Sequence, residues 1–564
     1  MSKEQTNIEH YEFEPIKGYP MLNWKGKRPF RSTQYFPAQL KEVYGQEDDS
    51  GWINKIFWGD NLQVMSHLLK EFRGKIDLIY LDPPFDSKAD YKKKIELKKI
   101  TVKTDTSSFE EKQYTDLWNN DEYLQFMYER LILMKELLSE TGSIFLHCDW
   151  HKVHHLRCIM DEVFGDGGGD GKSAGFKNEI IWQYKTGGTS KTYFARKHDN
   201  ILFYTKNSDY KYFNNKEIVI VDTSKGYNPN TEHFFDDDGN RCVRVNPTDV
   251  WNIQAINAHD LTTRNGYPTQ KPQALVEKII EAVTEPGDLV LDPFLGAGTT
   301  AQAAQNTGRK FIVSDINLAS IQVTINGLIA KKANNFSVSS INNYELFRNP
   351  VEAKELLIEA LEIQKLESSS VYDGEKDGYK VKIMPVNRIA TKEDLNELIA
   401  NFPYKQFESR KEANPNQPVE EIMLVCMGHE PSLGATLENE SGYKLKVKVV
   451  DILRDKSDLT FKYDSEAAIK IEGKKLVVEA FYPRNLLQKL SQQKDDVEEW
   501  REMVESIMID WNFDGAVMEP VVIDIPPKDE FVVGEYEIPE GASNIKVKIT
   551  DLLSESYEEV IVHG

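Results

Sequence analysis

From about residue 51 onward, short apolar runs alternate with stretches of helical periodicity. Ile76 to Leu81, Ser143 to Leu146, Leu289 to Leu291 and Phe311 to Val313 read as buried strands. Between them, Glu122 to Leu138 and Gln273 to Val283 place apolar residues at helical spacing. Alternation of this kind predicts an α/β fold with a mostly parallel, doubly wound sheet. In such sheets ligands bind outside the carboxyl ends of the strands, so the residues that follow each apolar run are the place to look for chemistry.

The pattern is absent at both ends and broken once in the middle. Residues 1–50 carry little periodicity and read as an N-terminal arm, with a basic-aromatic stretch from Trp24 to Arg31. The α/β pattern defines a domain over 51–340. Within it, 206–262 is polar, rich in Asn, Asp and Tyr, and carries the acidic run Asp236-Asp237-Asp238; it reads as an inserted recognition region. A helix and linker are expected over 341–378. Residues 379–564 read as a β-rich (α+β) domain with a charged helix near Asp495 to Met508. The run Lys446 to Leu453 echoes Lys546 to Leu553, which suggests two related β modules.

Charge changes the picture only when it is divided. The 564 residues carry a net charge of -22, which at first argues against a nucleic-acid partner. Residues 351–564 hold 44 acidic against 26 basic residues, so nearly all of the excess lies there. The remainder is close to neutral and free to present a basic face to phosphate. The chain has no apolar run of membrane-spanning length, and its first residues lack the apolar stretch of a signal peptide, so a cytoplasmic location and no membrane partner are expected. Four scattered cysteines, Cys148, Cys158, Cys242 and Cys426, offer neither a disulfide framework nor a CxxC zinc site.

Three segments after predicted strands carry candidate chemistry. Asp82-Pro83-Pro84-Phe85 follows Ile76 to Leu81. Its prolines remove backbone donors and fix φ, which leaves a carboxylate, rigid carbonyls and an aromatic face suited to a planar group bearing an amine. Read blandly, it is a Pro-Pro turn that ends a strand. Asp292-Pro293-Phe294-Leu295-Gly296-Ala297-Gly298-Thr299-Thr300 follows Leu289 to Leu291, with glycines that allow close backbone approach at a helix start. Asp315 ends the next strand, where a carboxylate can accept from ribose hydroxyls. The loop lacks the third glycine of GxGxxG and the GK[ST] of a P-loop, so it fits a nucleoside better than a pyrophosphate or triphosphate. Thr269-Gln270-Lys271-Pro272 precedes a predicted helix; Thr269 and Lys271 can reach a carboxylate on the same ligand, or simply start the helix.

Taken together and in this order, the segments resemble one family, the amino-methylating DNA methyltransferases of the permuted β group (the N4/N6 DNA methylases). The resemblance covers roughly residues 55–335. It extends to the modification subunits of type III restriction–modification systems through Asn178-Glu179-Ile180-Ile181-Trp182 and Lys197-His198-Asp199-Asn200-Ile201-Leu202.

The resemblance implies a Rossmann-like fold, S-adenosyl-L-methionine as methyl donor and double-stranded DNA as substrate. It assigns Asp292, Phe294, Gly296, Gly298 and Thr299 to the cofactor, Asp315 to its ribose, Thr269 and Lys271 to its methionine end and Asp60 to its adenine side. Asp82 and the Pro83 carbonyl would take the target amine, with Pro84 in the same turn and Phe85 stacked on a flipped-out base. An Asp-led segment goes mostly with adenine N6 and a Ser-led one with cytosine N4, so the enzyme implied is an adenine-specific site-specific methyltransferase of a restriction–modification or phage-defence system. Cytosine N4 and a non-catalytic DNA-binding subunit are the rival readings. Cytosine C5 chemistry is rejected, because none of the four cysteines follows a proline. A homodimer, and a nuclease or helicase subunit docked on the acidic C-terminal domain, are the protein partners implied.

Other features invite function and have plainer explanations. His147, His151, His154 and His155 resemble a metal cluster, but no second half-site with ligand spacing accompanies them, and no metal is expected. Lys88, Lys92 to Lys94, Lys98, Lys99 and Lys103, and Arg28 and Arg31 in the arm, are phosphate contacts or solvated surface. Gly165 to Gly175 lacks the strand–helix frame of a phosphate loop.

Overall fold

The computed structural model of the protein describes residues 10–12, 21–84, 90–96, 108–115, 120–169, 171–184, 191–221, 232–256, 269–333, 335–341, 354, 357–358, 361, 363–366, 371–385, 390–426, 429, 433–452, 465–493, 497, 499–527 and 530–563. The central sheet is built from β1 (Gln39–Gly45), β2 (Asn54–Trp58), β3 (Ile76–Leu81), β4 (Leu138–Cys148), β5 (Gly175–Gln183), β6 (His198–Thr205), β7 (Val250–Asn252), β8 (Leu289–Asp292), β9 (Lys310–Asp315) and β10 (Asn335–Ser340). Their order across the sheet is β7-β5-β6-β4-β3-β8-β9-β2-β10-β1. The run from β4 to β10 is parallel throughout, and β6 and β1 flank it antiparallel.

Helices cover both faces, as the alternation predicts. On one face α1 (Asn61–Phe72), α2 (Asn120–Leu137) and α3 (Val153–Phe164) bury Leu68, Leu131 and Met160. On the other, α4 (Gln273–Val283), α5 (Thr299–Asn306) and α6 (Leu318–Ala330) bury Ile279, Ala303 and Ile325. In α4 the apolar residues Leu275, Val276, Ile279, Ile280 and Val283 recur at helical spacing, and all are buried. The inserted region contributes β7 to the central sheet. It also forms a small antiparallel sheet in which 241–245 lies between 217–220 and 233–235. The acidic run closes that hairpin: Asp236 accepts from the amides of Asp238 (3.1 Å) and Asn240 (2.7 Å), a turn made by a short carboxylate.

Residues 39–45 lie in the stretch read as an arm, yet they pair as β1 at the sheet edge. Arg28, a candidate phosphate contact, instead forms ion pairs with Glu393 and Glu440. Beyond 341 the chain is rich in strands but falls into two topologies. Strands 379–383, 420–426 and 445–451 are parallel, with the helices Asp394–Ala400, Tyr404–Ala413 and Leu433–Ser441 between them. Among the described residues, the strands between 466 and 562 pair with one another antiparallel. The two echoing runs therefore sit in unlike sheets, 445–451 in the first and 544–551 in the second. The charged helix expected near Asp495 to Met508 is a short 3-10 turn (Trp500–Met503) followed by a strand (Val504–Asp510). Its buried residues Val504, Ile507 and Met508 follow helical spacing because the strand is covered on both faces and shows no alternation.

The antiparallel unit is joined to the central sheet. Met518 extends the β1 edge, donating its amide to the Lys41 carbonyl (3.0 Å) and accepting from the Val43 amide (2.9 Å). Met508 and Met518 are part of the core beneath α4–α6. Beside them Glu42 and Lys548, both buried, form an ion pair, and the Tyr44 hydroxyl donates to Glu42 at 2.7 Å. Burial raises the Glu42 carboxyl, but the Lys548 ammonium outweighs it and holds the group below the usual carboxylate range.

Removing one partner of a buried pair leaves the other charge uncompensated, so Lys548→Met is expected to destabilise the chain by about 3–5 kcal/mol. The double variant Glu42→Gln/Lys548→Met should recover most of that loss. Urea denaturation of the four chains of the double-mutant cycle measures the coupling; additive losses would rule the pair out as the link.

Candidate functional site

Four acidic residues stand at the carboxyl ends of four consecutive strands. Asp82 follows β3, Asp292 ends β8, Asp315 ends β9 and Asp60 follows β2 by two residues. Neighbouring strands lie about 4.8 Å apart, so residues more than 200 positions apart in sequence line one edge.

Asp82 is the most chemically poised of the four. One carboxylate oxygen pairs with the Lys271 ammonium, which approaches from the segment preceding α4. The other, Oδ1, is buried and accepts no hydrogen bond among the described residues. Pro83 is buried beside it and Pro84 is half-buried. Phe85 lies outside the described residues.

Asp292 and Asp315 hold the glycine loop. Asp292 accepts from the Phe294 amide (2.9 Å) and the Thr300 hydroxyl (2.5 Å), closing the loop onto the start of α5. Asp315 accepts from the amides of Gly296 (2.8 Å) and Asn317 (2.8 Å). Burial pushes both carboxyls up, Asp292 to about 7 and Asp315 to about 6, and Asp82 and Asp315 add repulsion at Asp292. Gly298 has φ 79°, and a Cβ there would meet Thr324 Oγ1 of α6 at 2.5 Å. Its small size serves close packing of loop on helix as well as the left-handed turn.

Asp60 caps α1, accepting from the Leu62 amide at 2.9 Å, and its other oxygen meets Arg130 Nη2 at 3.2 Å. Arg130 also donates to Asn61 Oδ1 (2.5 Å), and Asn61 donates to the Pro293 carbonyl (3.2 Å). Sequence reading missed both Arg130 and Asn61. The available signal was one arginine immediately before the apolar run Leu131-Ile132-Leu133-Met134 of a helix; a buried guanidinium there requires a partner. Arg130 also lies over Phe126 (3.4 Å), whose ring neighbours that of Phe294.

Thr269 is exposed, while Lys271, expected at the far end of a ligand, is on Asp82. The Thr299 hydroxyl donates to the Lys271 carbonyl at 3.3 Å, tying that segment to the glycine loop. The histidines resolve into separate roles. His147 is buried between the Tyr80 hydroxyl (3.0 Å) and Asp199 (3.2 Å), and His151 pairs with Asp149. The lysines of 90–96 belong to a hairpin with 108–115, while Lys88, Lys98, Lys99 and Lys103 lie outside the described residues.

Comparison with known proteins finds similarity over the same part of the chain. The model of a DNA methylase family, the N6/N4 methyltransferases, matches residues 76–326, from β3 through most of α6. The type II methyltransferase M.EcaI of Enterobacter cloacae is 26% identical over 373 residues, covering 54% of this chain and 76% of that protein. The type III restriction–modification enzyme StyLTI Mod subunit of Salmonella typhimurium is 27% identical over 379 residues. That match covers 52% of this chain and 56% of the subunit, so the chain spans just over half its length. The DNA adenine methyltransferase YhdJ of Escherichia coli is 25% identical over 278 residues, 48% of this chain and 82% of that protein. Among solved structures, the M1.HpyAVI complex with its cofactor aligns at 18% identity and a TM-score of 0.31, too distant to bear on the site. The glycine loop and the Asp82 turn, which share one sheet edge, both lie within residues 76–326, the span that is similar to the DNA methylase family.

Proposed function

We propose that this chain methylates the exocyclic N6 amine of a flipped-out adenine at a specific DNA sequence, with S-adenosyl-L-methionine as donor, in a restriction–modification or phage-defence setting. The observation that carries the reading is Asp82: one oxygen is held by Lys271, and the other is buried and without a hydrogen-bond donor among the described residues. A buried acceptor of this kind calls for a donor, and an amine supplies one.

The residues at the edge fit the donor molecule. A sulfonium nucleoside is cationic, and the strand ends present Asp82, Asp292, Asp315 and Asp60; the amides of the glycine loop and the start of α5 suit its carboxylate. When bound, S-adenosyl-L-methionine supplies an electrophilic methyl group. Phe294, Gly296, Gly298 and Thr299 would line it, Asp315 would stand at its ribose and Asp60 at its adenine side. Asp292 supports the loop from beneath.

An aromatic amine is a poor nucleophile because its lone pair is delocalised into the ring. Asp82 Oδ1 and the Pro83 carbonyl draw on its two protons, which turns the nitrogen toward a tetrahedral arrangement and localises that pair. Positive charge grows on nitrogen as the new bond forms, so a fixed carboxylate stabilises the transition state more than the ground state. Lys271 fixes the orientation of that carboxylate, and Phe85 would stack on the base. The aspartate that leads the turn supports adenine, and the similarity to YhdJ points the same way.

Expression in a methylation-free host, with base-resolved mapping and nucleoside mass analysis, tests the reading. N6-methyladenine at one sequence motif is expected, and its loss in Asp82→Ala by about 100-fold or more in kcat/KM. Lys271→Gln should retain cofactor binding and lose activity by about tenfold, through a loosened Asp82. N4-methylcytosine at the motif would move the target, and no modified base from folded, cofactor-binding protein would remove the catalytic reading.

The raised carboxyls set a pH dependence. Asp292 and Asp315 have folded values above the unfolded one, so their contribution is fullest below about pH 4 and is lost as pH rises toward about 7. The melting temperature of the ligand-free chain should fall across that window relative to Asp292→Asn, in which the larger share is removed. Parallel pH profiles for the two chains would contradict it.

A further inference from the structure

Beyond the carboxyl end of β4 the sheet edge carries a cation–aromatic stack that the reaction just described does not use. Trp150 follows β4 by two residues and is 40% exposed. The Arg196 guanidinium lies 3.4 Å over its ring and 4.9 Å from that of Tyr193. His151 packs against Trp150 at 3.7 Å between ring centroids. Between Tyr193 and Arg196, Phe194 is 98% exposed.

The sheet topology places this stack beside Asp82. β4 neighbours β3, with Leu146 level with Leu81, so Trp150 stands past the end of the strand adjacent to the one that delivers Asp82. β6 runs antiparallel on the other side of β4, with Asn200 level with Cys148, which brings the connection carrying residues 193–196 over the same end. The connection itself is basic in sequence, with Lys191, Arg196 and Lys197. The acids nearby are already engaged: Asp149 by His151, and Asp199 by His147 and Tyr184.

We propose that Phe194 is a wedge that enters the duplex beside the target and occupies the space left when the base swings out, while Arg196, held flat on Trp150, meets the neighbouring backbone phosphate. This rests on the DNA-methylation reading. A base leaves the stack at a cost in unstacking and unpairing, and apolar side chains inserted between base steps are a recurring means of offsetting it. A phenylalanine almost wholly in water beside a pinned guanidinium has the chemistry that such insertion requires, with a π face for bases and a fixed positive charge for phosphate.

The test uses the full chain and two duplexes containing the motif found by mapping, one fully paired and one with a mismatch opposite the target base. Phe194→Ala should lower kcat/KM on the paired duplex by about tenfold, and by less than about threefold on the mismatched one, where the pair is already weak. Phe194→Leu, which keeps an apolar wedge, should stay within about threefold of wild type on both. Equal losses of Phe194→Ala on both duplexes, or no loss on the paired one, overturn the proposal, the latter leaving the patch to a protein partner. Wild-type protein without transfer to either duplex overturns the methylation reading itself, an outcome separate from any ratio between variants.

Discussion

Parallel alignment of β3, β8, β9 and β2 is the constraint on which the site depends. It sets four carboxylates on adjacent strand ends, an arrangement that like charges oppose. Each is answered by a donor from elsewhere: Lys271 for Asp82, Arg130 for Asp60, and backbone amides with Thr300 for Asp292 and Asp315. The answers are not equal. Asp292 and Asp315 receive only dipoles and rise toward neutrality, whereas Asp82 and Asp60 receive full cations. The edge thus holds two carboxyls that fix the loop, one that caps α1, and one, Asp82, with a buried oxygen that accepts no hydrogen bond among the described residues.

The same sheet explains why the acidic C-terminal part is not a loose appendage. The outer side of β1 would be an open edge, and the Met518 segment closes it. A buried ion pair and two methionines in the core beneath α4–α6 join the antiparallel unit to the central sheet. From there Glu505 accepts from Asn326 of α6 (3.1 Å), the helix whose Thr324 fills the place a side chain at 298 would take. A path of direct contacts therefore runs from the acidic unit to the glycine loop. The net charge of that unit made it look remote from the strand-end site, but its contacts reach the helix packed behind the glycine loop.

Sequence and structure part company at identifiable places. Buried strands and amphipathic helices of the central domain were legible because their periodicity is local, and the Asp82 turn and glycine loop because proline and glycine impose their conformations without help from neighbours. Val504 to Asp510 misled because two-sided burial erases the alternation that marks a strand. Lys446 to Leu453 and Lys546 to Leu553 share a pattern of lysine and valine that suits any half-covered strand, so their likeness did not reach topology.

By itself the sequence determined which residues could do chemistry: Asp82 with its prolines, the loop from Asp292 to Thr299, Asp315, and their order along the chain. Only the tertiary structure decided which of them meet. Lys271 lies on Asp82 from 189 positions away, Arg130 binds Asp60 and Asn61 across a helix pair, and Arg196 lies flat on Trp150 across two strands. The physical reason is that periodicity and turn chemistry act over a few residues, while a charge buried at a strand end is satisfied by whatever the sheet order brings beside it.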